Sequence, residues 1–168
     1  KRVLAHDAIA ERFTELLVER TRLWRCGDPL DPRTDVGTLI DEAAARRVES
    51  WVGEAVAGGA RVLAGGRRHG AAFEPTLLSD VTRDMKVVCD EVFGPVASII
   101  AYDDLDEPVR DISTSRYGLQ CGVYTDSTER ALHLARSLRT GGVIINGTST
   151  WRTDQLAYGG VKDSGIGR

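Results

Sequence analysis

Apolar residues return at helical spacing along residues 6–24, where Ile9, Phe13, Leu16, Leu17 and Trp24 are interleaved with Glu11, Arg12, Glu15, Glu19 and Arg20. This pattern predicts a surface helix packed on one face. Gly27-Asp28-Pro29 ends it, because glycine and proline leave helical geometry. After a loop over 30–37 a second helix begins near Asp41: Val48, Trp51, Val52, Ala55 and Val56 fall at i, i+3, i+4, i+7 and i+8, and Gly58-Gly59 stops the run.

Beyond this helix the period shortens. Residues 60–64 read as a strand closed by Gly65-Gly66, and 73–78 as an edge strand, since Pro75 cannot donate to a central ladder. The β-branched run 96–102 reads as a buried strand, 105–114 as a short helix and 121–125 as a further strand. Asp126-Ser127-Thr128-Glu129 offers a helix cap with an acid following it. The apolar stripe Ala131, Leu134, Ala135 and Leu138 continues to Gly141-Gly142, and the strand Val143-Ile144-Ile145 follows. Strand, helix, strand is the pattern of a parallel crossover unit, so the expected class is α/β. The expected organisation is one domain over 1–168, without an internal repeat or linker.

Composition narrows the function classes. The chain has 42% hydrophobic and 28% charged residues and a net charge of −3, from 22 basic and 25 acidic residues. There is no basic run to serve as a footprint for nucleic acid, so no such partner is expected. No apolar stretch reaches the length of a membrane span, and residues 1–24 read as an amphipathic helix rather than a signal peptide. Cys26, Cys89 and Cys121 are odd in number and widely spaced, which predicts free thiols in a reducing cytoplasm. His6, His69 and His133 are scattered, and no metal is expected.

The chemistry-bearing candidates are few. Glu91-Val92-Phe93-Gly94-Pro95 places a carboxylate and a ring two residues apart before a strand. In an extended segment those two side chains point the same way, and together they suit a ribose carrying a nicotinamide. The same five residues also fit a strand entrance with a solvated Glu91 and a core Phe93. Cys26 lies near Arg22 and Arg25, which could lower its pKa, or it is a surface thiol at a helix end. Cys121, in a strand, reads as core. Gly165-Ile166-Gly167 is too sparse for a phosphate-binding fingerprint. Residues 148–168 have no apolar period and form a second candidate surface, with Arg152, beside Trp151, as an anion clamp over a ring or as an exposed arginine. No self-contained pair of nucleophile and base emerges.

The order of Gly27-Asp28-Pro29-Leu30-Asp31-Pro32, Val36-Gly37-Thr38-Leu39-Ile40, Ala60-Arg61-Val62-Leu63-Ala64-Gly65-Gly66, Pro75-Thr76-Leu77-Leu78, Met85, Glu91-Val92-Phe93-Gly94-Pro95, Tyr117-Gly118-Leu119, Gly142-Val143-Ile144-Ile145-Asn146 and Tyr158-Gly159-Gly160-Val161-Lys162-Asp163-Ser164-Gly165 resembles the aldehyde dehydrogenase family. The resemblance implies a three-layer catalytic domain with a mostly parallel sheet flanked by helices. It implies oxidation of an aldehyde to a carboxylic acid with NAD or NADP, through a cysteine thioester. It casts Glu91 as the ribose ligand and Phe93 as a nicotinamide neighbour. Trp151 and Tyr158 become walls of the substrate tunnel, and Arg152 favours an aldehyde bearing a carboxylate, phosphate or sulfonate. Cys26, Cys89 and Cys121 do not match the family's nucleophile motif, which is expected upstream of Lys1 together with the base and the dinucleotide-binding domain. The strand used in assembly is expected after Arg168. The chain alone is therefore expected to be inactive, and the complete enzyme to be a homodimer or homotetramer. Thr38, Asp90 and Ser113 replace the family's usual proline, glutamate and asparagine. Other readings of the same resemblance are a noncatalytic binding or assembly domain on this fold, and a sister reductase of acyl phosphates or acyl-CoA.

Overall fold

The computed structural model describes residues 1–167. Arg168, the end of the loop read as a second candidate surface, lies outside the described residues. The chain forms two compact units, residues 1–103 and 104–168.

The first unit runs β1 (Arg2–His6), α1 (Asp7–Arg22), α2 (Glu42–Ala57), β2 (Arg61–Ala64), β3 (Arg68–His69), β4 (Ala72–Phe73), β5 (Thr76–Ser79), α3 (Lys86–Cys89) and β6 (Val96–Tyr102). Its sheet has the order β1-β6-β5-β2. β6 runs parallel to both β1 and β5, whereas β2 is antiparallel to β5. Side-chain alternation along β6 sorts the layers. Val96 belongs to the core that α2 and α3 complete, Ile100 packs against it, and buried Ser98 donates from Oγ to the Val87 carbonyl of α3 at 3.4 Å. Ala97 and Ile99 turn to the other face, against which α1 packs. The unit is thus helix, sheet, helix.

Local chemistry explains most of these elements. Asp41 caps α2, accepting from the Ala44 N–H at 2.7 Å, and the face of α2 bearing Ala45, Val48, Val52 and Ala55 is fully buried. Three expectations fail here. Residues 2–6 are a strand rather than the start of the amphipathic helix: Val3 and Leu4 are drawn into register with Ile99 and Ile100, and His6 then caps α1 through Nδ1. The segment around Pro75 is not an edge strand, because β5 lies between β6 and β2. Pro75 precedes the ladder, which opens with the Thr76 N–H donating to Pro95 O at 2.8 Å, so its missing donor costs nothing. The stripe of α1 is also displaced: Ala10, Thr14, Leu17, Val18 and Thr21 are half-buried, while Ile9, Phe13 and Leu16 remain exposed.

The second unit contains α4 (Asp106–Thr114), β7 (Tyr117–Gly118), β8 (Gln120–Val123), α5 (Thr128–Ser137), β9 (Gly142–Ile145) and β10 (Val161–Lys162). β8, α5 and β9 form the expected crossover, with Cys121 opposite Val143 in a parallel pair. Ser127 caps α5, accepting from the Arg130 N–H at 3.2 Å. Val123, Leu134 and Leu138 form a separate core, with Leu105, Val109, Ile112, Cys121 and Val143 packed around it. Taken with the first unit's sheet, the fold is α/β with a mixed, mostly parallel strand arrangement. No helix among the described residues is long and apolar enough to cross a membrane.

Candidate functional site

The segment Glu91-Val92-Phe93-Gly94-Pro95 connects α3 to β6. Val92 points into the core and is 4% exposed, whereas Glu91 is exposed and Phe93 is 71% exposed. Phe93 therefore is not a core residue. Nor is the segment extended throughout, since Phe93 has φ 47°, a left-handed conformation rare for a bulky side chain. The outward placement of Glu91 and Phe93 comes from anchoring Val92 between them, not from strand alternation. Three further contacts hold the segment. Arg47 Nη2 donates to Val92 O at 2.8 Å, Thr76 N to Pro95 O at 2.8 Å and Val96 N to Gly94 O at 2.8 Å. Gly94 is required by packing: a Cβ there would lie 2.8 Å from Val48 Cγ2. Such strain in an exposed aromatic does nothing for the core, and strained residues cluster at ligand sites.

The second unit carries Trp151, Arg152 and Tyr158 in the loop between β9 and β10. All three are exposed. The Arg152 guanidinium carbon lies 5.0 Å from the centroid of the Tyr158 ring, so the ring beneath this arginine is six residues along rather than adjacent. Thr148 O accepts from Trp151 N at 3.1 Å. The far side of the loop is firmly pinned. Gly118 N donates to Ser164 Oγ at 2.9 Å, and Arg116 Nε to Asp163 Oδ2 at 2.8 Å. Lys162 Nζ donates to the carbonyls of Ile112, Ser113 and Ser115 at 3.1, 3.1 and 2.8 Å, capping the end of α4. The Gly159 carbonyl passes so close to Gly141 that a Cβ there would sit 1.8 Å away. The loop that presents Tyr158 thus depends on a glycine in the 141 position.

The cysteines do not form a third site. Desolvation, with the Glu74 carboxylate adding to it, pushes the Cys26 pKa up. That opposes the lowering that Arg22 and Arg25 could have produced and disfavours the nucleophilic thiolate. Cys89 is exposed, with Sγ 3.4 Å from Asp84 O, and Cys121 packs against the second core. A polar hollow lined by Leu105, Asp126, Ser127, Glu129, Arg130 and His133 contains none of the candidate cofactor-binding or substrate-binding residues. Arg47, in contrast, is a site-supporting residue that sequence reading missed. It occupies a half-buried position on α2 beside the apolar stripe, and nothing local signals a partner 45 residues away.

The aldehyde dehydrogenase family model matches residues 1–168. A 3-sulfolactaldehyde dehydrogenase from Priestia aryabhattai is 44% identical over 168 residues, covering 100% of this chain and 35% of the relative. The crystal structure of aldehyde dehydrogenase 21 from Physcomitrella patens, in complex with the reaction product succinate, superposes with a TM-score of 0.96 at 37% identity, covering 99% of this chain and 34% of that one. Glyceraldehyde-3-phosphate dehydrogenase from Methanocaldococcus jannaschii, complexed with NADP, gives a TM-score of 0.94 at 38% identity, covering 99% and 36%. The chain spans about a third of the length of the relatives it matches. Matched along its whole length in sequence and nearly so in structure, the chain belongs to the aldehyde dehydrogenase family.

Proposed function

We propose that the chain is the C-terminal part of the catalytic domain of an NAD(P)-dependent dehydrogenase whose aldehyde substrate carries an anionic group. The observation that carries this reading is the outward pair Glu91 and Phe93 around buried Val92, with an exposed ring held in left-handed backbone. A carboxylate fits the ribose hydroxyls as an acceptor-only group, and the ring fits the flat nicotinamide end. NAD(P) supplies the hydride acceptor, while Glu91 and Phe93 bind and orient it. The family reaction passes through a cysteine thioester. Cys26, Cys89 and Cys121 do not supply that nucleophile, so the 168-residue chain by itself has no turnover.

The substrate class is supported by Arg152 above Tyr158. It is also supported by the chemistry named for three relatives, a sulfonated aldehyde, a dicarboxylate product and a phosphorylated aldehyde. A guanidinium fork suits sulfonate, carboxylate and phosphate oxygens alike.

In the complete enzyme, Glu91→Gln is expected to raise the KM for the dinucleotide roughly ten-fold, the cost of one charge-assisted hydrogen bond, and to leave the aldehyde KM unchanged. Initial-rate kinetics with each substrate varied in turn provide the check. A dinucleotide KM equal to that of the unmodified enzyme would overturn the cofactor role of Glu91.

A further inference from the structure

Arg47 makes two contacts, one to the Glu91–Phe93 segment and one to a ring on its own helix. Its Nη2 donates to Val92 O at 2.8 Å, and its guanidinium carbon lies 4.9 Å from the centroid of Trp51, one helical turn along α2. Lys86 Nζ approaches the same ring at 6.0 Å and is itself paired with Glu54 Oε2 at 2.7 Å. The Trp51 ring thus lies near two cations, and its contact with the arginine fork restrains the side chain that meets the carbonyl.

The carbonyl it meets is the consequential one. Val92 O belongs to the peptide joining Val92 to Phe93, so fixing its direction fixes the plane from which Phe93 departs at φ 47°. Left-handed backbone in a bulky residue persists only where its surroundings over-determine it. The buried Val92 side chain anchors the position of the segment; rotation of the Val92–Phe93 peptide about its own axis is a separate degree of freedom. A hydrogen bond from a cation is the stronger kind, and it acts on that rotation.

We propose that Arg47 is a positioning residue for the dinucleotide, acting through the Val92 carbonyl to hold Glu91 and Phe93 outward in the binding conformation. The inference rests on the cofactor reading of Glu91 and Phe93. The role requires no contact of Arg47 with the dinucleotide or the aldehyde, only its bond to the Val92 carbonyl. Its effect is confined to how often the segment adopts the conformation that binds, so its removal lowers apparent dinucleotide affinity by the fraction of molecules lost from that conformation.

The test uses the complete enzyme with Arg47→Met, which retains an apolar stem against Trp51 but no donor, alongside Arg47→Lys, which restores one, and Glu91→Gln. Arg47→Met is expected to raise the dinucleotide KM roughly five-fold with kcat and the aldehyde KM retained, and Arg47→Lys to recover most of that loss. Equilibrium titration of the dinucleotide should show the same order. An unchanged dinucleotide KM in Arg47→Met, with Glu91→Gln impaired, would overturn the positioning role and leave the cofactor reading standing. An unchanged dinucleotide KM in Glu91→Gln would overturn both. Failure of Arg47→Met to fold, together with no recovery of dinucleotide affinity in Arg47→Lys, would assign Arg47 to structure alone.

Discussion

Phe73→Ala is expected to destabilise the protein by about 3–5 kcal/mol, the range for removing a fully buried ring from a packed core. Phe73 is 0% exposed and shares its core with Val48, Leu78, Val87 and Val92. It sits at the end of β4, paired with Arg68 across a short antiparallel ladder whose turn contains Gly70 at φ 61°. Its Cα is held by that ladder, so the backbone cannot simply collapse into the gap. The loss extends to the candidate site, because Val92 is the anchor that sends Glu91 and Phe93 outward. In the complete enzyme, the midpoint of thermal inactivation should fall sharply for Phe73→Ala and much less for Phe73→Leu, which refills most of the volume. Dinucleotide affinity should weaken below the temperature at which activity is lost. Inactivation of Phe73→Ala indistinguishable from that of the unmodified enzyme would contradict the placement of this ring at the centre of the core.

What could be read from sequence was what neighbouring residues decide. Asp41 and Ser127 cap α2 and α5 through hydrogen bonds three residues long, and the crossover β8–α5–β9 follows from apolar period and glycine stops. Elements created by distant pairing left no comparable signal. β7 and β10 are two residues each, and Tyr117-Gly118 finds Val161-Lys162 only in the folded unit. β1 carries no turn signal to separate it from α1, and its partner is β6, near the far end of the first unit. The candidate site divides in the same way. Glu91, Phe93, Trp151, Arg152 and Tyr158 could be singled out by residue type and order. The left-handed backbone of Phe93, the hydrogen bond from Arg47 and the stacking of Arg152 on Tyr158 are products of tertiary structure.

Arg152→Ala is expected to lower kcat/KM for an aldehyde bearing a carboxylate, phosphate or sulfonate by about 10–100-fold, the effect of losing one or two hydrogen bonds to a charged group. A neutral aldehyde of similar size should be turned over nearly as before, because Trp151 and Tyr158 retain their apolar surfaces. Stacking on Tyr158 at 5.0 Å restrains an otherwise flexible side chain, so part of the ordering cost falls before the substrate arrives. Arg152→Lys separates charge from shape. An ammonium keeps the positive field but lacks the planar fork and the stacking geometry, so its selectivity should lie between those of the parent and the alanine variant. Rising ionic strength should erode the preference for the anionic aldehyde in the unmodified enzyme, through screening of an exposed charge, and have little effect in Arg152→Ala. Equal losses on anionic and neutral aldehydes in Arg152→Ala would show that the arginine supports the loop rather than selecting the substrate.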